Sequence, residues 1–129
     1  MKRLTLHFDG PSPNLELTVK LRATPTAVAV LAAAPFTATT QTWGDEVYFD
    51  APVSAAPESD ATDVVTAGEI AFWLAGSCIA IGYGPTPVSQ ADEIRLASPC
   101  NIWADAEGDV KTLAAVRPGT EVRVTEAAD

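Results

Sequence analysis

At 129 residues the chain is long enough to bury roughly two-thirds of the surface it exposes when unfolded, which fits one domain. With 47% hydrophobic and 19% charged side chains it is neither disordered nor fibrous. A net charge of −9, from 8 basic and 17 acidic side chains, argues against nucleic acid or an anionic membrane surface as partner, because both are held by clustered Lys and Arg.

The N-terminal residues alternate Leu4, Leu6 and Phe8 against Arg3, Thr5 and His7, which predicts a strand rather than a signal peptide. Residues 9–14, Asp-Gly-Pro-Ser-Pro-Asn, are turn chemistry. Leu15, Leu17, Val19 and Leu21 then alternate with Glu16, Thr18, Lys20 and Arg22, a second half-buried strand antiparallel to the first. Thr24 is placed as an N-cap with Pro25 at the first helical position, opening an alanine-rich helix that Pro35 ends. Its small side chains suit close packing on a sheet, at the end of a barrel. Residues 36–42 are threonine-rich and extended, Trp43-Gly44-Asp45 is a turn, and Glu46-Val47-Tyr48-Phe49 is a strand.

Residues 51–67 carry two prolines, serines and scattered acids, and are expected to be a loop with at most a helical turn near Asp63. Two apolar runs, residues 70–74 and 78–83, follow around a turn at Gly76. Both are apolar on each face, so this hairpin belongs at the centre of a sheet or barrel. Residues 88–98 look loop-like, with a short strand or turn within 92–96. Residues 101–105 read as a strand with Ile102 and Ala104 opposite Trp103. Residues 109–116 read as a short helix started by Asp109, and residues 121–126 as a last strand with Val122 and Val124 facing in. With about eight strands, two short helices and no βαβ alternation, the arrangement that satisfies every pattern is mainly β: a closed antiparallel eight-stranded barrel with its ends covered by helices.

The order strand, turn, strand, then Pro25-Thr26-Ala27 opening a helix resembles the start of cyclophilins, and the segment Asn101 to Val110 resembles a later cyclophilin strand that turns through Glu107-Gly108 into a second helix. The chain more closely resembles a small cyclophilin-like family of bacterial and archaeal proteins, mostly without assigned function. That family is marked by Thr42-Trp43-Gly44-Asp45-Glu46-Val47-Tyr48-Phe49 and by Gly68-Glu69-Ile70-Ala71-Phe72-Trp73, a hairpin ending in Gly84-Pro85-Thr86-Pro87. The resemblance covers nearly the whole chain. It implies an eight-stranded barrel with two helices, and prolyl isomerisation as one activity to consider. Cyclophilins use an arginine near the proline nitrogen, in the segment that corresponds to Thr42–Phe49, and here no arginine lies between Arg22 and Arg95.

The candidate ligand-binding residues are Trp43, Tyr48, Trp73, Tyr83 and Thr86, aromatics and a hydroxyl at or near loop junctions of adjoining segments. Glu46, the carboxylate between Trp43 and Tyr48, is the candidate catalytic acid or base if it is buried; otherwise it is a solvated residue on the polar face opposite Val47. Thr86 either presents its hydroxyl to a ligand or is a plain turn residue. His7 lies far from any nucleophile, and Cys78 and Cys100 lack metal-ligand spacing and read as reduced, buried thiols. No metal or cofactor is implied, and a soluble, cytoplasmic protein is the expectation. Three functions fit: a pocket for a small organic or peptide-like ligand, a peptidyl-prolyl isomerase, and a small-molecule cyclase or isomerase using the barrel pocket.

Overall fold

The computed structural model describes residues 2–9 and 14–127. The turn expected between the first two strands lies largely outside them. β1 (Arg3–Asp9) and β2 (Leu15–Leu21) pair antiparallel with Leu6 opposite Leu17 and Leu4 opposite Val19, so their apolar faces coincide and are buried. α1 (Pro25–Ala33) starts as its sequence predicts, with the Thr24 hydroxyl accepting from Ala27 N at 3.1 Å and Pro25 in the first turn. It buries Thr26, Ala27 and Val30 and leaves Val28 exposed, so a small-residue stripe carries the packing.

After the cis Ala34–Pro35 bond, β3 (Phe36–Thr39) and β4 (Gln41–Thr42) form one bent strand interrupted at Thr40. β3 pairs with β10 (Glu121–Glu126), whereas β4 pairs with β5 (Glu46–Asp50). The bent segment thereby joins the two ends of a sheet that runs β10, β1, β2, β9 (Ile94–Ala106), β7 (Glu69–Trp73), β8 (Cys78–Gly82), β5. The result is a mainly β, nearly closed antiparallel barrel. Buried Thr40 fastens the bend, its hydroxyl donating to Thr120 O at 2.9 Å. The interior holds Leu4, Leu6, Phe8, Val19, Val47, Phe49, Ile70, Phe72, Ile79, Ile81, Val122 and Val124.

Three expectations need correcting. Residues 62–65, expected in a loop, form a strand, β6 (Thr62–Val65), which lies off the ring and pairs with β9. β9 is thirteen residues long and begins at Ile94, so the loop expected over 88–98 ends early. Its second half belongs to the barrel, while its first half and β6 cover the outside. Proline normally marks an edge or a bulge, and Pro99 lies in the stretch skipped when the β6 ladder jumps from Thr62–Cys100 to Val64–Arg95. The third correction concerns Trp103. The β7–β9 register jumps from Ile70–Ala104 to Ala71–Ile102, so Trp103 is an extra residue that joins Ala104 in the interior instead of opposing it. The indole Nε1 of Trp103 is buried and has no hydrogen-bond partner among the described residues.

The second predicted helix is a 3-10 helix, Val110–Ala115, with the Asp109 carboxylate accepting from Lys111 N. A buried latch closes the other end of the structure. Asn101, fully buried, accepts from Glu58 N and donates to Thr26 Oγ1 and Ala56 O, and the Glu58 carboxylate accepts from both N and Oγ1 of Thr26. This network pins the long connection after β5 onto the start of α1. No helix of the described residues is long and apolar enough to cross a membrane.

Candidate functional site

The cover formed by β9 and β6 creates a second apolar cluster on the outer face of the barrel: Val65, Ala71, Ala80, Ile94, Leu96, Cys100 and Ile102, flanked by Tyr48 and Trp73. This is why the central hairpin is apolar on both faces. In β8, Ile79 and Ile81 face the interior while Ala80 faces the cover, and all five residues of the strand are buried. A Cβ at Gly82 would run into Ile94, so glycine there lets the cover sit close.

At the margin of this cover is a cleft of about 200 Å3, lined by Trp43, Glu46, Tyr48, Trp73, Ala80, Leu96, Ala97 and Cys100. Strand alternation explains the β5 wall: Val47 and Phe49 point inward, so Glu46 and Tyr48 point to the cleft. Trp43 is positioned by a tight turn in which its N–H donates to Glu46 O at 3.0 Å, with Gly44 in the left-handed region at φ +58°. A Cβ on Gly44 would lie 2.8 Å from Pro87 Cδ, so the Gly-Pro-Thr-Pro loop packs directly beneath the turn. Asp45 N–H donates to Pro85 O at 3.0 Å and Tyr83 N–H to Asp45 O at 2.8 Å, bracing the same junction. Trp73 is held from both sides: its Nε1 donates to Ser98 Oγ at 2.6 Å, and its ring packs so closely on Gly76 that a Cβ there would collide with it.

Glu46 is only 6% exposed and receives no hydrogen bond from any described residue. Burial pushes its carboxyl up from 4.5 to about 7. Glu46 is thus not on an open, solvated face as its alternation with Val47 suggests: the first half of β9 covers most of it and leaves it facing the cleft. Both thiols are also pushed up to about 12, chiefly by burial. For Cys78 the nearby Asp50 carboxylate adds to this, its Oδ1 accepting from Sγ at 3.3 Å; for Cys100 the charge of Glu46 adds to it.

Of the residues singled out from the sequence, Trp43, Glu46, Tyr48 and Trp73 come together at this cleft. Tyr83 and Thr86 do not. Tyr83 lines a separate shallow depression with Asp45, Gly84, Pro85 and Lys111. Thr86 is buried, its hydroxyl donating to Arg95 O and its N–H to Ser89 Oγ, so it ties the loop to the start of β9. Arg95 is not in the lining either: its guanidinium binds Glu93 at 2.6 Å and Asp63 at 3.0 Å. His7 sits across the barrel on β1, against Glu16 and Thr125. Leu96, Ala97 and Cys100 escaped the sequence reading because Pro99 disguises β9. The signal available was the spacing of Ile94, Leu96 and Cys100 around it. Among the described residues no three His, Cys, Asp or Glu side chains are grouped to hold a metal ion.

The fold and this cleft define a class: small antiparallel barrels with a pocket on the outer wall, under a strand that crosses over it. Residues 2–125 match the family model described as cyclophilin-like, and the chain belongs to that family. The solution structure of a hypothetical protein from Archaeoglobus fulgidus is similar to it, at 34% identity and a TM-score of 0.81, covering 98% of this chain and 95% of that one. McbB, solved in complex with tryptophan, shares the fold at 14% identity and a TM-score of 0.71; the match covers 98% of this chain and 45% of McbB. No curated protein matches the chain.

Proposed function

We propose that the protein is a binding module whose outer cleft holds a small organic or peptide-like ligand between Trp43, Tyr48 and Trp73, with Glu46 as its polar anchor. The observation that carries this reading is the convergence of three aromatic walls on one buried, unpartnered carboxylate in a space of about 200 Å3. Ligand sites are mostly apolar concavities with few, well-placed polar groups, and this cleft has that composition. Its lining contains no arginine to stabilise a twisted prolyl amide, which favours binding over prolyl isomerisation.

The test is exchange NMR with an Ala-Pro peptide and a panel of aromatic fragments added to labelled protein. Shifts at Trp43, Tyr48 and Trp73 without faster cis–trans exchange support the reading. Exchange cross-peaks at low protein concentration replace it with isomerase activity, and no response from either set overturns it. A Trp43→Ala variant should lose the response while its melting temperature stays nearly unchanged.

A second reading, small-molecule cyclisation or isomerisation with Glu46 as acid and base, is favoured by one observation. A carboxyl pushed up to about 7 can both hold and release a proton near neutral pH. A Glu46→Gln variant that binds a substrate but no longer converts it supports that reading; equal rates end it.

A further inference from the structure

The cleft contains an electrostatic imbalance that narrows the ligand. Glu46 is 6% exposed, its carboxyl opens onto the cleft, and no described donor reaches it. Burying a carboxylate without a partner is costly, and side chains in folded proteins usually meet that cost with a cation or with several N–H groups. Among the described residues Glu46 has neither, so without a ligand only solvent meets its carboxylate. The nearest arginine in the cover, Arg95, is already bound by Glu93 and Asp63, and no lysine or arginine lines the cleft. The other titratable groups of the lining are the Tyr48 hydroxyl on the same strand and the Cys100 thiol on β9; the Cys78 thiol on β8 also feels the charge of Glu46, and the further carboxylates that act on these thiols are Asp50 and Asp63. None of these groups carries a positive charge. The protein as a whole carries −9, so the potential that a ligand meets on approach is negative as well.

The remaining walls match the same ligand. Indole and phenol faces present the negative side of their quadrupole, which attracts a cation and leaves a carboxylate unassisted. Trp73 is held in place by Ser98 and by its close packing on Gly76. Two tryptophans, a tyrosine and a carboxylate line one opening, the composition of an aromatic cage with a counter-ion. An anion would be repelled by the one charged group of this lining, and a neutral ligand would leave its charge uncompensated.

Resting on the binding-module reading above, we infer that the ligand is an organic cation, a protonated amine or quaternary ammonium group on a small apolar body, with the ammonium against Glu46 and the body between Trp43, Tyr48 and Trp73. Size agrees. A cavity of roughly 150 Å3 holds benzene, so an open cleft of about 200 Å3 takes one ring with a short aminoalkyl tail.

The experiment uses three probes of one shape and different charge: phenethylamine, 2-phenylethanol and phenylacetate. Each is titrated into the protein at about pH 8, where Glu46 is ionised and an alkylamine is still protonated, while the aromatic carbon–proton signals of Trp43, Tyr48 and Trp73 are followed. Phenethylamine is expected to bind at least about tenfold more tightly than the alcohol, with phenylacetate weakest. In Glu46→Gln the preference for the amine over the alcohol should disappear, and a preference that survives the substitution overturns the pairing of the ammonium with Glu46. If the alcohol or the acid binds as well as the amine, the inference of a cationic ligand falls and the cleft remains a binding site. If none of the three moves those signals, the inference of a cationic ligand falls, and the binding-module reading is decided separately by the peptide and aromatic-fragment titrations above.

Discussion

The burial of Glu46 makes a quantitative claim about stability that needs no knowledge of a ligand. Its carboxyl releases a proton near 4.5 when solvated and near about 7 in the fold, with burial as the cause. Between these values the folded protein holds a proton that the unfolded chain has already lost, so stability falls as pH rises through this window. Below about pH 4 both states are protonated and Glu46 has no pH-dependent cost; above about pH 8 both are ionised and the cost is complete. A difference of that size corresponds to about 3 kcal/mol. Glutamine has the shape and neutrality of the protonated acid. Glu46→Gln should therefore match the natural protein near pH 4, apart from a constant offset for its amide, and exceed it by about 3 kcal/mol near pH 8. Urea unfolding of both proteins across this range, with the difference plotted against pH, gives the answer, because every other titrating group cancels. A difference that stays flat would show that the carboxylate is solvated or paired in solution, and the electrostatic argument for the cleft would be refuted.

Asn101→Ala should cost about 1–3 kcal/mol, because it empties a fully buried position and removes the partner of Glu58 N–H and of the Ala56 carbonyl, leaving Thr26 tied to Glu58 alone; a loss under about 0.5 kcal/mol in urea unfolding would mean that water replaces the latch. Gly76→Ala should destabilise by about 1–3 kcal/mol and displace the Trp73 indole, weakening any ligand of the cleft; an unchanged Trp73 spectrum would show that the turn gives way instead.

Much of the barrel was legible in the chain itself. The alternation in Arg3–Asp9, Leu15–Leu21 and Glu121–Glu126 specifies strands with one dry face, and it survives in the structure because those strands have solvent on the other. Thr24 and Pro25 specify the start of α1, since a cap and a preset φ act within a few residues. The paired motifs around Trp43 and at the end of the central hairpin pointed to the cyclophilin-like family, to which the chain belongs. What they do physically was not legible. Gly44, Pro85 and Pro87 turn out to brace one another, and Thr86 holds the start of β9.

The cleft divides along the same line. Trp43, Glu46, Tyr48 and Trp73 could be proposed from residue type and from their places in adjoining segments, and strand period alone puts Glu46 and Tyr48 on one face. Whether that face is wet or dry depends on the first half of β9, some fifty residues away in sequence, and on β6, which its composition disguises as a loop. Local pattern sets which way a side chain points; only packing between distant segments sets the dielectric it points into. That is why the sequence determined the strands, the helix start and the aromatic set, while the tertiary structure alone decided that Glu46 is a buried carboxylate without a partner.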